Sequence, residues 1–274
     1  MSLPSRLFAS IATLLLFSCK KDRQPEPENV PITKPILLKD ITLPGLPCPF
    51  YHFEYNRDSL AITADFASGF TNYTILYSGR RIQEMRNTAF SVNDTLRYNY
   101  DGTGKLTNIG FINRFNIRYR QVIFTYSGSQ PEAIRWEQKS VSGDYITDRT
   151  LQFTFYADGN LKTITEHRPS IGGSTDYTSV RTFEGYDDKI NVDDFTLTHD
   201  GFHDHLFLLQ GFRLQKNNAR KELLIANGDS LYTLDYTYTY NLDKTPIAKE
   251  GTLEYLSGPN KGQRFPTSTY YTYY

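Results

Sequence analysis

Aromatic and polar side chains alternate along most of the chain after residue 50, in short segments separated by turns. Five of these segments share one arrangement, in which an alternating strand ends on a tyrosine, a turn rich in Gly, Asp, Ser or Asn follows, and an aliphatic residue begins the next strand. The tyrosines are Tyr77, Tyr100, Tyr126, Tyr156 and Tyr240, and the aliphatic residues are Ile82, Leu106, Ile134, Leu161 and Ile247. Alternation with a period of two between glycine-containing turns is typical of antiparallel hairpins.

The regular spacing of these copies fits two strands per repeat. Residues 181–192 form a weaker sixth copy. The pattern therefore predicts an all-β fold, an antiparallel up-and-down meander of repeated hairpins that forms a curved sheet or a partly closed barrel. At most one or two short helices are expected, near 203–210 or 215–224. Alternation alone does not distinguish a sandwich, a barrel and one long sheet.

The segment "DGTGK", Asp101–Lys105, has the glycines and lysine of a phosphate-binding loop. A phosphate loop of the Walker type, however, needs GxxxxGK followed by Ser or Thr on a helix. Here Leu106 and a predicted strand follow the lysine. The segment is therefore predicted to be a hairpin turn, in which Gly102 and Gly104 are expected to have positive φ angles.

The N-terminus has the pattern of an export signal. Arg6 precedes eleven residues, 7–17, that are largely apolar, and the small Ser18 and then Cys19 follow. A bilayer-spanning helix needs about 20 apolar residues, so this run fits the hydrophobic region of a signal peptide. Residues 1–18 are predicted to be that signal peptide. An ordinary secretory signal followed by an incidental cysteine is the alternative.

The residues "LFSC", 16–19, resemble the lipobox of bacterial lipoproteins, and "SCKKD" resembles the form frequent in Bacteroidota. The resemblance implies cleavage before Cys19 and attachment of lipid to that cysteine. Two or more acyl chains give stable membrane attachment where one chain does not. We therefore expect an outer-membrane lipoprotein, anchored through its N-terminal lipid and facing either the periplasm or the cell surface.

Seven of the 13 prolines lie in residues 19–49, which predicts a semi-rigid tether in extended conformation. The alternative is that residues 36–43 form an edge strand. Residues 50–274 are predicted to be a single β-rich domain. If Cys19 carries lipid, Cys48 has no partner for a disulfide, and the stability of the domain must come from packing.

The segment "YNYDGTGKLTNI" looks like a YD-type repeat. Its combination with "YDDKIN" at 186–191, "KNN" at 216–218 and "YTYTYNLDKTP" at 236–246 is similar to a group of Bacteroidota cell-envelope lipoproteins of unknown function. The resemblance implies a β-rich envelope protein and implies no chemistry.

Lys plus Arg and Asp plus Glu each number 30, so the chain has no basic excess to hold nucleic acid. The C-terminal "STYYTYY", 268–274, is aromatic, as the ends of outer-membrane barrels often are. The mean hydropathy of −0.51 and the many polar residues at alternate positions, however, leave no continuous apolar band for lipid. The sequence thus predicts that the domain does not span the membrane.

Tyr236, Tyr238 and Tyr240 share one face of a predicted strand. Such a row can stack on sugar rings, although aromatic residues on strands more often pack across the sheet. The favoured function is accordingly a non-catalytic binding or envelope-assembly module, with an envelope protein or a glycan as partner. A glycan-binding lipoprotein that uses an exposed tyrosine row is the alternative.

His199, His203 and His205 lie close enough in sequence for two of them to ligate zinc, which gives a weaker alternative, a metal-dependent hydrolase. There is no HExxH motif, no fourth ligand at a recognisable spacing and no GxSxG nucleophile motif. We therefore expect no metal site, no cofactor and no enzymatic activity.

Three short segments, "DSL" at 58–60, "DTL" at 94–96 and "DSL" at 229–231, resemble the acceptor of periplasmic O-glycosylation in Bacteroidota. The resemblance implies glycans on Ser59, Thr95 and Ser230. Each segment also stands where a turn meets a strand, a position that Asp and Ser favour in any case.

Overall fold

The computed structural model describes residues 35–88, 94–199 and 212–274, and in these ranges sixteen antiparallel strands form one closed barrel. The strands are β1 (Leu38–Thr42), β2 (Tyr51–Tyr55), β3 (Ala61–Phe66), β4 (Thr71–Ser78), β5 (Arg81–Asn87), β6 (Thr95–Tyr100), β7 (Leu106–Ile112), β8 (Arg118–Ser127), β9 (Gln130–Lys139), β10 (Tyr145–Phe155), β11 (Leu161–Arg168), β12 (Tyr177–Glu184), β13 (Lys221–Ala226), β14 (Asp229–Tyr240), β15 (Pro246–Tyr255) and β16 (Arg264–Tyr273). Each strand pairs with the next in the chain, and β1 pairs with β16 to close the barrel. The predicted all-β up-and-down meander is confirmed, and its closure answers a question that alternation left open.

One 3-10 helix, Asp194–Thr198, is the helical element of the described ranges. The helix expected at 215–224 is wrong, because Lys221–Ala226 is strand β13. The helix expected at 203–210 lies outside the described residues. No helix in the part of the chain that the structure covers is long and apolar enough to cross a bilayer.

Side chains alternate between the interior and the outer wall along each strand, as the two-residue period requires. On β9, Ile134 and Trp136 are buried inside the barrel, while Arg135 is exposed on the outer wall. Val122 and Phe124 of β8 are also buried inside. The apolar residues thus line the interior, and the polar residues of the same strands face outward.

The barrel has two unlike ends. At the end that we call the turn end, short turns join β2 to β3, β4 to β5, β6 to β7, β8 to β9, β10 to β11 and β14 to β15. At the opposite end, which we call the loop end, four of the eight connections are longer than any of these turns, and the loops 140–144 and 169–176 follow β9 and β11.

The "DGTGK" segment is a turn of the turn end, as predicted. The Asp101 carboxylate accepts the backbone N–H groups of Thr103 and Lys105, each at 2.9 Å, and the Gly104 N–H donates to the Asp101 carbonyl at 3.0 Å. Gly104 has a φ of 90°, a conformation that L-residues with side chains rarely adopt. The same expectation was wrong for Gly102, which lies outside the positive-φ region.

A β-bulge lies next to each of the six turns of the turn end. The register of strand pairing shifts at Tyr55, Tyr77, Tyr100, Tyr126, Phe155 and Tyr240. A bulge increases local twist and bends the strand, and repeated bulges supply the curvature that barrel closure needs. In four of the five copies, the tyrosine that ends the sequence pattern is therefore also the residue at which the sheet bends. In the copy that ends on Tyr156, the shift lies one residue earlier, at Phe155.

Tyrosine hydroxyls join the strand pairs that no turn connects at the turn end. Tyr100, at the end of β6, donates a hydrogen bond to the carbonyl of Ile82, at the start of β5, with a distance of 2.8 Å. The same bond, which we call a tyrosine latch, recurs around the barrel. The other pairs are Tyr55 to Leu38, Tyr77 to Ala61, Tyr126 to Leu106, Tyr186 to Leu161, Tyr238 to Ala219 and Tyr273 to Pro246. At β10 the pattern changes, since Tyr156 donates to Phe183 of β12 at 3.0 Å.

The connection between β12 and β13 folds into the barrel, and we call its described parts, 185–199 and 212–220, the plug. Phe195 packs edge-on against Tyr51 and Phe53, with ring centroids 5.4 and 5.8 Å apart. Phe212 packs against Phe124 on the other side of the interior, at 5.4 Å. The weaker sixth copy of the hairpin pattern thus keeps its latch at Tyr186 but then enters the barrel instead of turning into a strand.

Strand β1 lies within the segment assigned to the tether. The alternative of a strand in residues 36–43 is the one that the structure shows, although β1 is not an edge strand, because it pairs with β16 on one side and β2 on the other. Residues 19–34 of the expected tether lie outside the described residues.

Replacing a latch tyrosine by phenylalanine tests its contribution to stability. We expect Tyr100→Phe to lower the free energy of unfolding by about 1–3 kcal/mol, because the carbonyl of Ile82 loses its donor in a partly buried position. Urea denaturation followed by circular dichroism measures this change. Tyr270→Phe is the matched control, since the side chain of Tyr270 is 42% exposed, and it should unfold as the wild type does. Equal stability of all three proteins would mean that the latch bond contributes nothing.

Candidate functional site in the barrel interior

The tyrosine row Tyr236, Tyr238 and Tyr240 faces the interior of the barrel, where its side chains are half-buried. The rings of Tyr238 and Tyr240 stack with centroids 6.0 Å apart. The Tyr238 hydroxyl donates to the carbonyl of Ala219 at 2.9 Å, and the Tyr240 hydroxyl donates to the Asp187 carboxylate. These contacts fasten the row to the plug, so the row is not arranged as an open platform for a sugar ring.

Lys249 of β15 reaches into the same part of the interior. Its ammonium lies 4.3 Å from the centre of the Tyr236 ring and 4.0 Å from Oδ2 of Asp193 in the plug. The Tyr271 hydroxyl donates to the same carboxylate oxygen at 2.6 Å. We call these four residues the lysine cluster. It joins strands β14, β15 and β16 to the plug through one carboxylate.

The electrostatics of the lysine cluster fix its protonation. Burial acts to lower the pKa of Lys249, but the neighbouring Asp193, Tyr236 and Glu222 outweigh it and raise that pKa above its ordinary value. Burial and the Asp193 carboxylate raise the pKa of Tyr271 well above its ordinary value. The lysine therefore remains a cation at neutral pH, and a protonated amine is not a nucleophile. The cluster can position a charge but is not set up for attack on a carbonyl.

A cavity of about 460 Å³ opens between the plug and the strands β1 to β3. We call it the plug cavity. Its walls combine apolar side chains with the polar groups of Arg80, Asn191, Asp194 and Arg213. Its size lies within the range of small-molecule sites, which are largely apolar with a few polar groups. The arrangement can therefore hold a small ligand against a carboxylate and a guanidinium.

Asp194 supplies the carboxyl group of this cavity. Its Oδ2 accepts the backbone N–H groups of Leu214 at 2.8 Å and Gln215 at 3.4 Å. Burial raises the pKa of Asp194 to about 6, against the lowering effect of these N–H groups and of Arg213. Its charge therefore changes within the range from mildly acidic to neutral pH.

The three histidines of the metal hypothesis are not all described. The ring of His199 packs against Phe66 with centroids 5.3 Å apart, and His203 and His205 lie outside the described residues. Among the His, Cys, Asp and Glu side chains within the described ranges, no group of three could hold a metal ion.

Of the residues expected to carry a lipid or a glycan, the structure describes the three glycosylation candidates. Cys19 lies outside the described residues. Ser230 is exposed, whereas Ser59 and Thr95 are half-buried, and Ser59 occupies a turn with a φ of 61°. Glycosylation of all three stays a prediction.

Sequence reasoning missed Asp193, Asp194, Arg213 and Lys249. Charged residues in a strand or a loop usually lie in solvent, and nothing local marks these as interior. One signal was present, because "YDDKINVDDF" continues past its turn without the alternation that follows the other turns. That departure marked the place where the chain leaves the wall of the barrel.

Comparisons with known proteins bear on the fold. No protein-family model matches the sequence, and no curated protein is similar to it. Among the solved structures that are similar to the barrel, two are crystal structures of porin-like proteins. One is a porin-like protein from Bacteroides uniformis ATCC 8492, with a TM-score of 0.57 and 12% identity over 82% of this chain and 89% of that chain. The other is a porin-like protein from Bacteroides vulgatus ATCC 8482, with a TM-score of 0.57 and 18% identity over 87% of this chain and 99% of that chain. At these identities the likeness shows a shared β-barrel fold.

Replacing the carboxyl group of Asp194 tests the electrostatics of the plug cavity. Because its pKa is raised in the folded state, its contribution to stability is fully present below about pH 4 and is lost as the pH rises through about 6. Asp194→Asn should remove this pH dependence and raise the free energy of unfolding at pH 8 by on the order of 1–2 kcal/mol. Thermal unfolding measured from pH 4 to pH 8 gives the comparison.

The control for this measurement is Asp235→Asn, which changes an exposed carboxylate on β14. It should follow the pH profile of the wild type. If Asp194→Asn also follows that profile, the raised pKa of Asp194 is contradicted.

Proposed function

We propose that the protein is a lipid-anchored barrel of the bacterial envelope that acts as a non-catalytic binding or assembly module. The observation that carries this proposal is the combination of a filled interior with a charged outer wall. A porin has the reverse arrangement, with a polar, water-filled interior and an apolar band that faces lipid.

The plug supports a role other than conduction. Phe195 and Phe212 insert aromatic rings into opposite parts of the interior. Arg149 of β10, which is 2% exposed, donates to the carbonyl of Thr198 in the plug at 3.2 Å. Aromatic contacts and a hydrogen bond donated by a buried guanidinium hold the plug in the lumen. A module of this kind presents rims and cavities to a ligand, not a continuous channel.

The outer wall supports a position outside the lipid. Glu84, in the middle of β5, accepts hydrogen bonds from Arg86 at 2.8 Å and from Arg97 of β6 at 3.2 Å. Glu137 of β9 accepts bonds from Arg135 at 2.8 Å and from Gln121 of β8 at 2.6 Å. Arg or Lys on the lipid face of a barrel costs about 2–4 kcal/mol each at the bilayer midplane. An outer wall with these charged residues is favourable in water and costly in lipid.

Attachment to the membrane then depends on the N-terminus. The lipobox-like residues 16–19 supply a lipid on Cys19, and the following proline-rich residues separate the barrel from the bilayer. The two porin-like structures described above come from Bacteroides, which agrees with the resemblance of these residues to Bacteroidota lipoproteins. We place the protein at the outer membrane, facing the periplasm or the cell surface, with an envelope protein or a glycan as partner.

Changing the anchor tests the proposal. In cells fed a palmitate analogue, the full chain should take up the label, and the Cys48→Ala variant should take it up equally, because only Cys19 receives lipid. A chain whose residues 1–19 are replaced by an ordinary cleavable secretory signal should lose the label and move from the membrane to the soluble periplasmic fraction. Fractionation and in-gel detection of the label measure both results.

Two outcomes would contradict the proposal. Absence of label on the full chain would remove the lipid anchor. Retention of the unlipidated barrel in membranes after an alkaline carbonate wash would show that its wall, and not a lipid, holds it there.

A further inference from the structure

A second pocket, of about 530 Å³, lies at the mouth of the barrel on the loop end, away from the plug cavity. We call it the mouth pocket. The lumen-facing residues Gln138 and Ile146, which are paired across β9 and β10, form part of its wall. Arg168 and Tyr177, which are paired across β11 and β12, form another part. The loops 140–144 and 169–176 complete it.

Apolar residues of these loops and of the start of β10 are exposed to an unusual degree. Val141 is fully exposed, Ile146 is 46% exposed and Ile171 is 40% exposed. Single exposed aliphatic residues are common on protein surfaces, but a cluster that lines a pocket is typical of a binding site. Pro169 and Tyr177 extend this apolar lining toward the lumen. The pocket is therefore suited to an aliphatic chain.

Cations surround the apolar wall. Lys139 is exposed at the rim, and the side chain of Arg168 is 42% exposed beside the pocket. The Asp148 carboxylate, which also lines the pocket, accepts a hydrogen bond from Arg120 at 3.0 Å, so its charge is offset.

The carboxylate of Glu166, behind Arg168, is paired with two arginines. Glu166 accepts hydrogen bonds from both Arg149 at 2.7 Å and Arg168 at 2.6 Å. Among the residues that line the pocket, the two cations Lys139 and Arg168 outnumber the one anion, Asp148. The mouth pocket has a positive excess, and this excess favours an anionic group.

We propose that the mouth pocket binds a single-chain amphiphile with an anionic head, of the fatty-acid type, with its chain between the loops 140–144 and 169–176 and its carboxylate toward Lys139 and Arg168. The inference deepens the binding role proposed above and is independent of the lipid anchor. It gives the barrel a ligand at the loop end, opposite to the end at which the described chain begins.

The test uses the full chain with Cys19→Ser, so that no attached lipid competes. Equilibrium dialysis against radiolabelled dodecanoate, kept below its micelle concentration, should show saturable binding to one site. Ile171→Asp should weaken binding at least tenfold, and Lys139→Glu should weaken it several-fold. Both positions are exposed, so these changes leave the core intact.

Matched controls separate the pocket from general effects. Leu242→Asp places the same charge on a fully exposed leucine at the turn end, and Lys261→Glu reverses an exposed lysine in another loop of the loop end. Both should bind dodecanoate as the parent chain does. Dodecyltrimethylammonium, with the same chain and a cationic head, should compete at least tenfold less well than dodecanoate.

Several results would overturn the inference. These are the absence of saturable binding, equal competition by the cationic amphiphile, and unchanged affinity of Ile171→Asp. Equal competition by an aliphatic heptapeptide with a free carboxyl terminus would assign the pocket to peptides instead. The measurement contains no membrane, so its failure would leave the labelling and fractionation results of the proposed anchor untouched.

Discussion

The hydrogen bond from a tyrosine hydroxyl to a backbone carbonyl at the turn end of the neighbouring strand is the interaction on which this barrel depends. An up-and-down barrel joins its strands by turns at alternate ends, so each strand pair is covalently tied at one end and open at the other. Open ends of paired strands expose unpaired backbone groups and fray. The latches close these positions at the turn end, for example from Tyr126 to Leu106 at 2.9 Å and from Tyr55 to Leu38 at 2.9 Å. At Tyr55, Tyr77, Tyr100 and Tyr126 the bulge and the latch coincide, so one residue supplies both curvature and closure.

The sequence predicted this arrangement only in part. Period-two alternation and the Tyr–turn–aliphatic order were enough to predict hairpins, and Asp101 with Gly104 was enough to predict a turn instead of a phosphate loop. The acceptors of the latches could not be predicted, because Tyr77 and Tyr126 reach carbonyls 16 and 20 residues away that have no side-chain signature. Closure of the barrel could not be predicted from the sequence either. It depends on the pairing of β1 with β16, and β1 lies in a proline-rich segment whose composition indicates a tether.

The candidate site was less predictable than the fold, for a physical reason. Alternation shows that Tyr236, Tyr238 and Tyr240 share a face but not which face is inside, since tyrosine suits both an interior and an exposed wall. Lys249 lies on that same face, and only the plug, with Asp193 at 4.0 Å, explains a lysine inside the barrel. The plug itself comes from a segment that resembles a hairpin up to Tyr186 and then departs from the pattern. Pairing between charged residues that are far apart in the sequence places them inside the barrel, and no short segment of the sequence shows that pairing.

The measurement that tests the account most directly is an alkaline titration of the folded protein, with tyrosinate absorbance and circular dichroism recorded together. Burial raises the pKa of Tyr55, Tyr100 and Tyr126 to about 12. A raised folded-state pKa means that these hydroxyls stabilise the barrel fully below about pH 10 and lose that effect as the pH rises through about 12. The account predicts that a large fraction of the tyrosines ionises only near pH 12, together with loss of the β-sheet signal. Ionisation of all tyrosines near pH 10 with the β-sheet signal intact would contradict it.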